Sequence, residues 1–315
     1  MNVCIVIPSY KVQKTILKVL SAVGRDVSLI IVVDDACPEG SGKIVQSQCR
    51  DPRVKVLFHH ENQGVGGAVC TGYQAALEEK MDIIVKLDSD GQMDPCFIGT
   101  LIKPIVEGRA DYTKGNRFFK LSSLRSMPFI RLFGNSVLSF VAKLTSGYWN
   151  VMDPTNGFTA VYSTVLKQID LTKLDRRYFF ESDMLFRLGT IRAVVADVPM
   201  DALYGDEESH LSVIRVLFEF PLKYFSRSLK RFFYSYVLRD FNLGSIQFFL
   251  GMTLCLFGGV FGVWRYYLSV HTGVPATSGQ VMIAGLPVIL GFQSLWAALQ
   301  FDVTNLPKQP LQRME

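Results

Sequence analysis

From its second residue the chain alternates short apolar runs with stretches whose apolar residues recur at helical spacing. "NVCIVIP" predicts a strand and "TILKVLSAV" a helix. "SLIIVVDD", "VKVLFHH" and "DIIVKLD" predict three further strands. Between them lie the helical segments "GKIVQSQC" and "GGAVCTGYQAALEE", and the helix "PCFIGTLIKPIVEG" follows. Repeated strand–helix units of this size imply an α/β fold, a mainly parallel sheet with helices on both faces. Ligands of such sheets bind beyond the carboxyl ends of the strands. Asp34–Asp35 and Asp88–Asp90 fall there.

Past Leu211 the pattern changes. Residues 245–268, "SIQFFLGMTLCLFGGVFGVWRYYL", and 280–301, "QVMIAGLPVILGFQSLWAALQF", each approach the ~20 apolar residues a helix needs to cross a bilayer core. Arg265 beside Trp264, Tyr266 and Tyr267 fits an interfacial aromatic belt with a snorkelling cation. A pair of buried core helices is the competing reading. The loop "SVHTGVPATSG" has no Lys or Arg, whereas Arg227, Lys230, Arg231 and Arg239 precede the first span and Lys308 and Arg313 follow the second. Positive-inside bias then gives a multi-pass membrane protein with both termini cytoplasmic, joined by a short loop outside. The N-terminal "MNVCIVIPSY" has no basic n-region and runs straight into a strand pattern, unlike a signal peptide. Residues 215–240 interleave cations with Phe, Tyr and Leu, as in a helix lying on an anionic membrane surface. Nucleic acid, which basic–aromatic mixtures also contact, is not expected next to a span. Three parts are expected: a cytoplasmic domain over 1–211, juxtamembrane amphipathic helices over 212–240, and a two-helix hairpin with a short tail over 241–315. Gly251, Gly258, Gly259 and Gly262 would let helices approach closely, so a homo-oligomer through the spans is expected.

Composition sharpens this reading. A hydrophobic share of 49% and a mean hydropathy of +0.23 are high for a wholly soluble enzyme, and the excess sits mostly after Leu211. The net charge of +5 is modest. Six cysteines without a CxxC pair read as small apolar residues kept reduced in the cytoplasm. In "NQGVGGAVCTG" a dinucleotide fingerprint would need glycine where Val69 stands, and it would follow the first strand rather than the third. That argues against a dehydrogenase and leaves a glycine-led helix start near a nucleotide.

The stretch "VKLDSDGQMDP" gathers three carboxylates around a glycine. It admits two readings, a solvated turn or a metal site. Asp88 and Asp90, alternating at a strand end, can aim into one cleft, and hard oxygen ligands suit Mg²⁺ or Mn²⁺. Together with "IPSY", "VVDDACPEGS", "NQGVGGAVCTGYQAA" and "GNRFF", the segment "KLDSDGQ" resembles the family 2 glycosyltransferases of the GT-A fold, over residues 1 to about 211. "DSDGQ", "GNRF" and "YGDEESHLS", followed by a membrane hairpin, are similar to the polyprenyl-phosphate glycosyltransferases, the group that includes the dolichol-phosphate and undecaprenyl-phosphate enzymes.

The resemblance implies a GT-A Rossmann-like domain and a metal-dependent, inverting transfer of one sugar. The donor it implies is a nucleotide sugar, a UDP-hexose with GDP as the alternative, and the acceptor a polyprenyl phosphate at the cytoplasmic face. Carried over by motif, Pro8, Tyr10 and Asp35 border base and ribose. Asp88, Asp90 and Gln92 hold Mg²⁺ or Mn²⁺ and the donor diphosphate. Arg117, Arg131 and Ser209 meet the acceptor phosphate, arginine being suited by its two-donor planar fork. Asp90, Arg117 and Asp153 form the reacting centre. Asp153 would orient the acceptor or act as base, or would simply form a turn before Pro154. Glu181 and Asp183 match an acidic pair of the family, or a helix start that favours negative charge. The sequence also departs from the pattern. Lys11 and Val12 replace the residues after Tyr10 that relatives write as Asn-Glu, and His210 stands after Ser209 where they have lysine. A processive polysaccharide synthase is the same-fold rival, but Q-x-x-R-W and further spans are missing from this sequence. A catalytically inactive scaffold is the other, and retention of Asp88, Asp90 and Arg117 argues against it.

Overall fold

The computed structural model describes residues 1–119, 129–200 and 213–314, leaving aside the side chains of 129–133 and 213–218. Seven strands, β1 (Val3–Ser9), β2 (Leu29–Asp34), β3 (Val54–Phe58), β4 (Ile83–Lys86), β5 (Tyr112–Asn116), β6 (Thr159–Tyr162) and β7 (Val195–Pro199), form one sheet in the order β3-β2-β1-β4-β6-β5-β7. All pairs are parallel except those of β6, which runs antiparallel between β4 and β5. The mainly parallel GT-A sheet expected from the sequence is therefore present. β1 and β4 are buried along their whole length and show no polar–apolar alternation, because helices cover both faces.

The helices are α1 (Ile16–Ser21), α2 (Ser41–Gln48), α3 (Val65–Glu78), α4 (Ile98–Val106), α5 (Phe129–Ser146), α6 (Ser163–Lys167), α7 (Phe180–Ile191), α8 (Val213–Phe233), α9 (Leu243–Thr272) and α10 (Ser278–Thr304). One core joins Ile5, Ile7, Ile30, Val32 and Val85 of the sheet to Leu20 of α1 and Leu101 and Ile105 of α4. The chain divides into two compact units, Met1–Ser228 with Pro307–Glu315, and Leu229–Leu306.

Within the first unit α8 is amphipathic in an unexpected sense. Tyr224 packs edge-on against Phe179 and its hydroxyl lies 2.7 Å from Ser182 Oγ. Lys223 pairs with Asp175 at 2.6 Å and Arg227 with Asp183 at 2.6 Å. Two of the cations that the sequence assigned to a membrane surface thus hold α8 to α7 and the segment before it. Apolar residues of α8 are exposed instead, Leu222 and Phe225 in this unit and Leu229 and Phe233 in the second.

The chain's last turn, Leu311–Arg313, belongs to the first unit. The carboxylate of Asp111, just before β5, is buried and accepts the backbone N–H groups of Val194, Leu311 and Gln312 at 2.7, 2.9 and 3.1 Å. Gln312 adds side-chain donation to the carbonyls of Ile105 and Ala110. Asp111→Ala strands three donors at once and is expected to cost about 3 kcal/mol. A lowered melting temperature in detergent, with faster proteolysis of the tail, checks it. An unchanged melt would show the tail to be a passive passenger.

In the second unit α9 and α10 are long and apolar enough to cross a membrane, and only 11% of each apolar window is buried inside the chain. That exposure disfavours the core-helix reading. Both helices start on capping boxes, Asn242 with Ser245 and Thr277 with Gln280. They pack closely: a Cβ on Gly251 would lie 2.8 Å from the Gly291 carbonyl oxygen, and one on Gly258 would lie 2.6 Å from that of Ala284. Two of the four glycines expected to serve oligomer formation are thus taken up inside the hairpin. At one end Arg265 donates to Gln280 at 2.7 Å. At the other, Arg231 and the Tyr236 hydroxyl both donate to Asp302.

Candidate active site

Strand order reverses at β1, which has β2 on one side and β4 on the other, and in such sheets ligands bind beyond the carboxyl ends of the strands at this point. Short bonds tie the three strand tips together. Ser89 Oγ donates to the Pro8 carbonyl at 2.7 Å, Thr15 Oγ1 donates to the Ser89 carbonyl at 2.7 Å, and Asp35 N donates to the Ser9 carbonyl at 3.1 Å. Pro8 is buried at this junction and Tyr10 stands exposed at its rim.

The paired aspartates at the end of β2 face the protein. Asp34 accepts the N–H groups of Cys37 and Gly42 at 2.7 and 2.6 Å. Asp35 accepts those of Gln63 and Gly64, each at 2.8 Å, and meets His59 Nδ1 at 2.8 Å. The Asp35 carboxylate therefore holds the turn that leads into α3. Gly64 has a left-handed φ of +87°, and a Cβ there would lie 2.5 Å from the Arg176 carbonyl oxygen. Gly67 N donates to that same oxygen at 3.0 Å. The glycine-rich run is explained by close approach to residues 175–177.

At the tip of β4 the sequence breaks an apolar strand with one cation. Lys86, Thr159, Lys114 and Asp197 face one another in register across β4, β6, β5 and β7, a polar row across the sheet. Lys86 Nζ donates to Asp88 Oδ1 at 2.7 Å, to Glu181 Oε1 at 3.0 Å and to the Gly157 carbonyl at 3.3 Å. Burial opposes its charge, but the Asp88 and Glu181 carboxylates outweigh that and hold its pKa above the ordinary lysine value. A Cβ at Gly157 would collide with both Asp88 Oδ2 and Lys86 Nζ. Lys114 Nζ donates to the Asn156 carbonyl. Burial pushes this second lysine down to about 8, against the opposing pull of Glu181 and Asp153. Asp197 is raised by burial to about 6.

Beyond Asp88 the chain turns at Gly91, φ +79°, and Asp90 Oδ1 accepts Gln92 N at 2.9 Å. Asp88 and Asp90 are both half-buried, as is Gln92. Among the described residues no group of three or more His, Cys, Asp or Glu side chains could hold a metal alone. Two carboxylates and an amide do match Mg²⁺, which is usually held by one or two carboxylates, with substrate phosphates and water completing its shell.

Arg117 lies just past β5. Its Nε and Nη2 donate to Asp153 Oδ2 and Oδ1 at 2.7 and 3.0 Å. Asp153 is 0% exposed and the Arg117 side chain 28% exposed. The fork fixes one edge of the guanidinium, and the Arg117 backbone N–H also donates to Asp153. The acidic pair of α7 divides. Glu181 turns to Lys86, while Asp183 accepts from Asp175 N, Arg187 and Arg227 on the opposite side. Arg131 lies on α5 with its side chain outside the description, and Ser209 and His210 lie outside the described residues.

The structure thus brings Pro8, Tyr10, Asp88, Asp90 and Gln92 to the tips of β1 and β4, and pairs Arg117 with Asp153 near the end of β5. Lys86 and Lys114 were not singled out from the sequence. Their signal was a lone cation inside each of the strand runs "IIVK" and "YTKGN".

Residues 4–170, more than half of the chain, match the family model described as glycosyl transferase family 2. The chain is 29% identical over 216 residues to a UDP-N-acetylglucosamine–dolichyl-phosphate N-acetylglucosaminyltransferase of Methanococcus voltae, covering 64% of this chain and 86% of that one. It is 29% identical over 204 residues to an undecaprenyl-phosphate mannosyltransferase of Micrococcus luteus, covering 64% and 83%. Among solved structures it resembles glucosyl-3-phosphoglycerate synthase from Mycobacterium tuberculosis in complex with Mn²⁺, UDP and glucosyl-3-phosphoglycerate. There the TM-score is 0.53 and the identity 18%, over 73% of this chain and 79% of that chain, a likeness of fold.

Proposed function

The chain belongs to glycosyl transferase family 2, and we propose that it moves a single sugar from a nucleotide donor, a UDP-hexose, to the phosphate of a polyprenyl lipid at the cytoplasmic surface of a membrane. The observation that carries this reading is that the carboxylates past β4 and a guanidinium anchored on buried Asp153 past β5 leave the same edge of the sheet, in a chain that also has two apolar hairpin helices. The named relatives, which use dolichyl and undecaprenyl phosphates, support the acceptor class.

Pro8 and Tyr10 border the base, and Asp35 acts by holding the 63–64 turn beside it. Asp90, Asp88 and Gln92 would hold Mg²⁺ or Mn²⁺, which when bound would neutralise the departing diphosphate. Arg117 receives the acceptor phosphate, joined by Arg131 and Ser209. A phosphate monoester is mostly dianionic at neutral pH, with a second pKa of about 6, so it can attack the anomeric carbon without a protein base. The anomeric carbon gains the lipid phosphate oxygen on one face as the nucleotide diphosphate leaves from the other, and configuration inverts. Asp153, with both oxygens on Arg117, aims that guanidinium and needs no proton-transfer role. The exposed apolar residues of α8 rest in the membrane interface, and the cations flanking the hairpin keep both chain ends cytoplasmic.

Full-length protein given radiolabelled UDP- and GDP-sugars, undecaprenyl phosphate and Mn²⁺ is expected to form a lipid-linked monosaccharide. Chelation should lower the rate by about 10²-fold or more, with recovery on adding Mn²⁺ or Mg²⁺. Failure with every donor, or products longer than one sugar, would overturn the reading.

A further inference from the structure

We propose that Lys86 is a positioning residue for donor binding, its buried ammonium fixing the Asp88 carboxylate in the orientation that serves the nucleotide diphosphate and its metal. The proposal rests on the assignment of Asp88 to the donor side. Lys86 is only 1% exposed, yet it is the one charged residue of a strand whose preceding residues are Ile83, Ile84 and Val85. Packing alone would be served by another apolar side chain, and burying an ammonium is costly unless its partners are well placed.

Those partners come from three separate segments. The tip of β4 supplies Asp88, α7 supplies Glu181, and the turn before β6 supplies the Gly157 carbonyl. An ammonium has three N–H donors, and three acceptors surround it. Two carboxylates drawn to one cation would repel each other without it. The cation thus lets Glu181 buttress the site without pushing Asp88 aside. Asp88 keeps 27% exposure while its Oδ1 is tied inward, and Gly157 leaves room for the pair because any Cβ would collide with both. Groups behind a metal ligand commonly change metal affinity by about 10- to 100-fold when removed.

The test is calorimetric binding of UDP and of GDP, each with Mn²⁺, to the full-length protein in lipid nanodiscs, beside its melting temperature. Lys86→Met is expected to weaken Mn²⁺-dependent nucleotide binding by about 10- to 100-fold and to lower the melting temperature. In Lys86→Met/Glu181→Gln the stranded carboxylate is gone, so the melting temperature should recover while the affinity stays weak. The double variant also decides the matter if Lys86→Met does not fold. Wild-type affinity in Lys86→Met, or affinity that returns with stability in the double variant, would show that the lysine only balances charge. Absence of Mn²⁺-dependent binding of both nucleotides to the wild type would overturn the inference with its premise. Normal nucleotide binding without any lipid-linked sugar would instead sink the proposed function and leave the role of Lys86 standing.

Discussion

Asp90→Asn is expected to lower sugar transfer by about 10³-fold or more while leaving the fold intact. Two effects separate cleanly at this position. The Asp90 side chain accepts Gln92 N at 2.9 Å, and an asparagine carbonyl can accept the same bond. Asparagine also suits the turn made at Gly91. The local backbone should therefore survive, with stability changed by no more than about 1 kcal/mol. What disappears is one of the two negative charges that the proposed function assigns to the cation accompanying the diphosphate. Asp88→Asn is a poorer probe, because it also removes the charge partner of buried Lys86. Initial rates at saturating Mn²⁺, set beside the melting temperature, make the comparison. Most of the wild-type rate in Asp90→Asn would remove the metal from the β4 tip.

The sheet was readable because strands buried on both faces are continuous apolar runs, and "CIVIP", "LIIVV" and "IIV" are such runs. The carboxylates at strand ends stood out for a related reason, since they interrupt apolar runs, but the sequence did not tell that Asp34 and Asp35 accept backbone N–H groups while Asp88 and Asp90 stay half-buried. The insertion of β6 between β4 and β5 was not, because the pairing of "TAVY" depends on partners more than forty residues away. Side-chain partnerships were the least legible part. Nothing local tells that Lys223 and Arg227 turn inward to Asp175 and Asp183, since a helix interleaving cations with aromatics reads equally well as a membrane-surface helix. The docking of Leu311 and Gln312 on Asp111 uses backbone N–H groups, which carry no residue signature at all. Lys86 left a clue in its strand, but its role depends on Glu181, nearly a hundred residues later.

Arg117→Lys is expected to cut kcat/KM for polyprenyl phosphate by about 10²-fold while leaving Mn²⁺-dependent nucleotide affinity unchanged. Lysine keeps the charge but loses the planar fork, so it can reach only one Asp153 oxygen at a time and cannot hold a second edge toward a phosphate. Arg117→Ala should be worse in a different currency. Asp153 is fully buried and both its oxygens lie on the guanidinium, so removing that partner leaves an uncompensated charge, at a cost of about 3 kcal/mol. The lysine variant thus reports on recognition and the alanine variant on stability, which a single substitution would confound. Rates measured against acceptor concentration at fixed donor, and against donor concentration at fixed acceptor, separate the two substrates. If Arg117→Lys weakens donor and acceptor use equally, the guanidinium serves the site as a whole and the acceptor phosphate must be met elsewhere, with Arg131 the next residue to test.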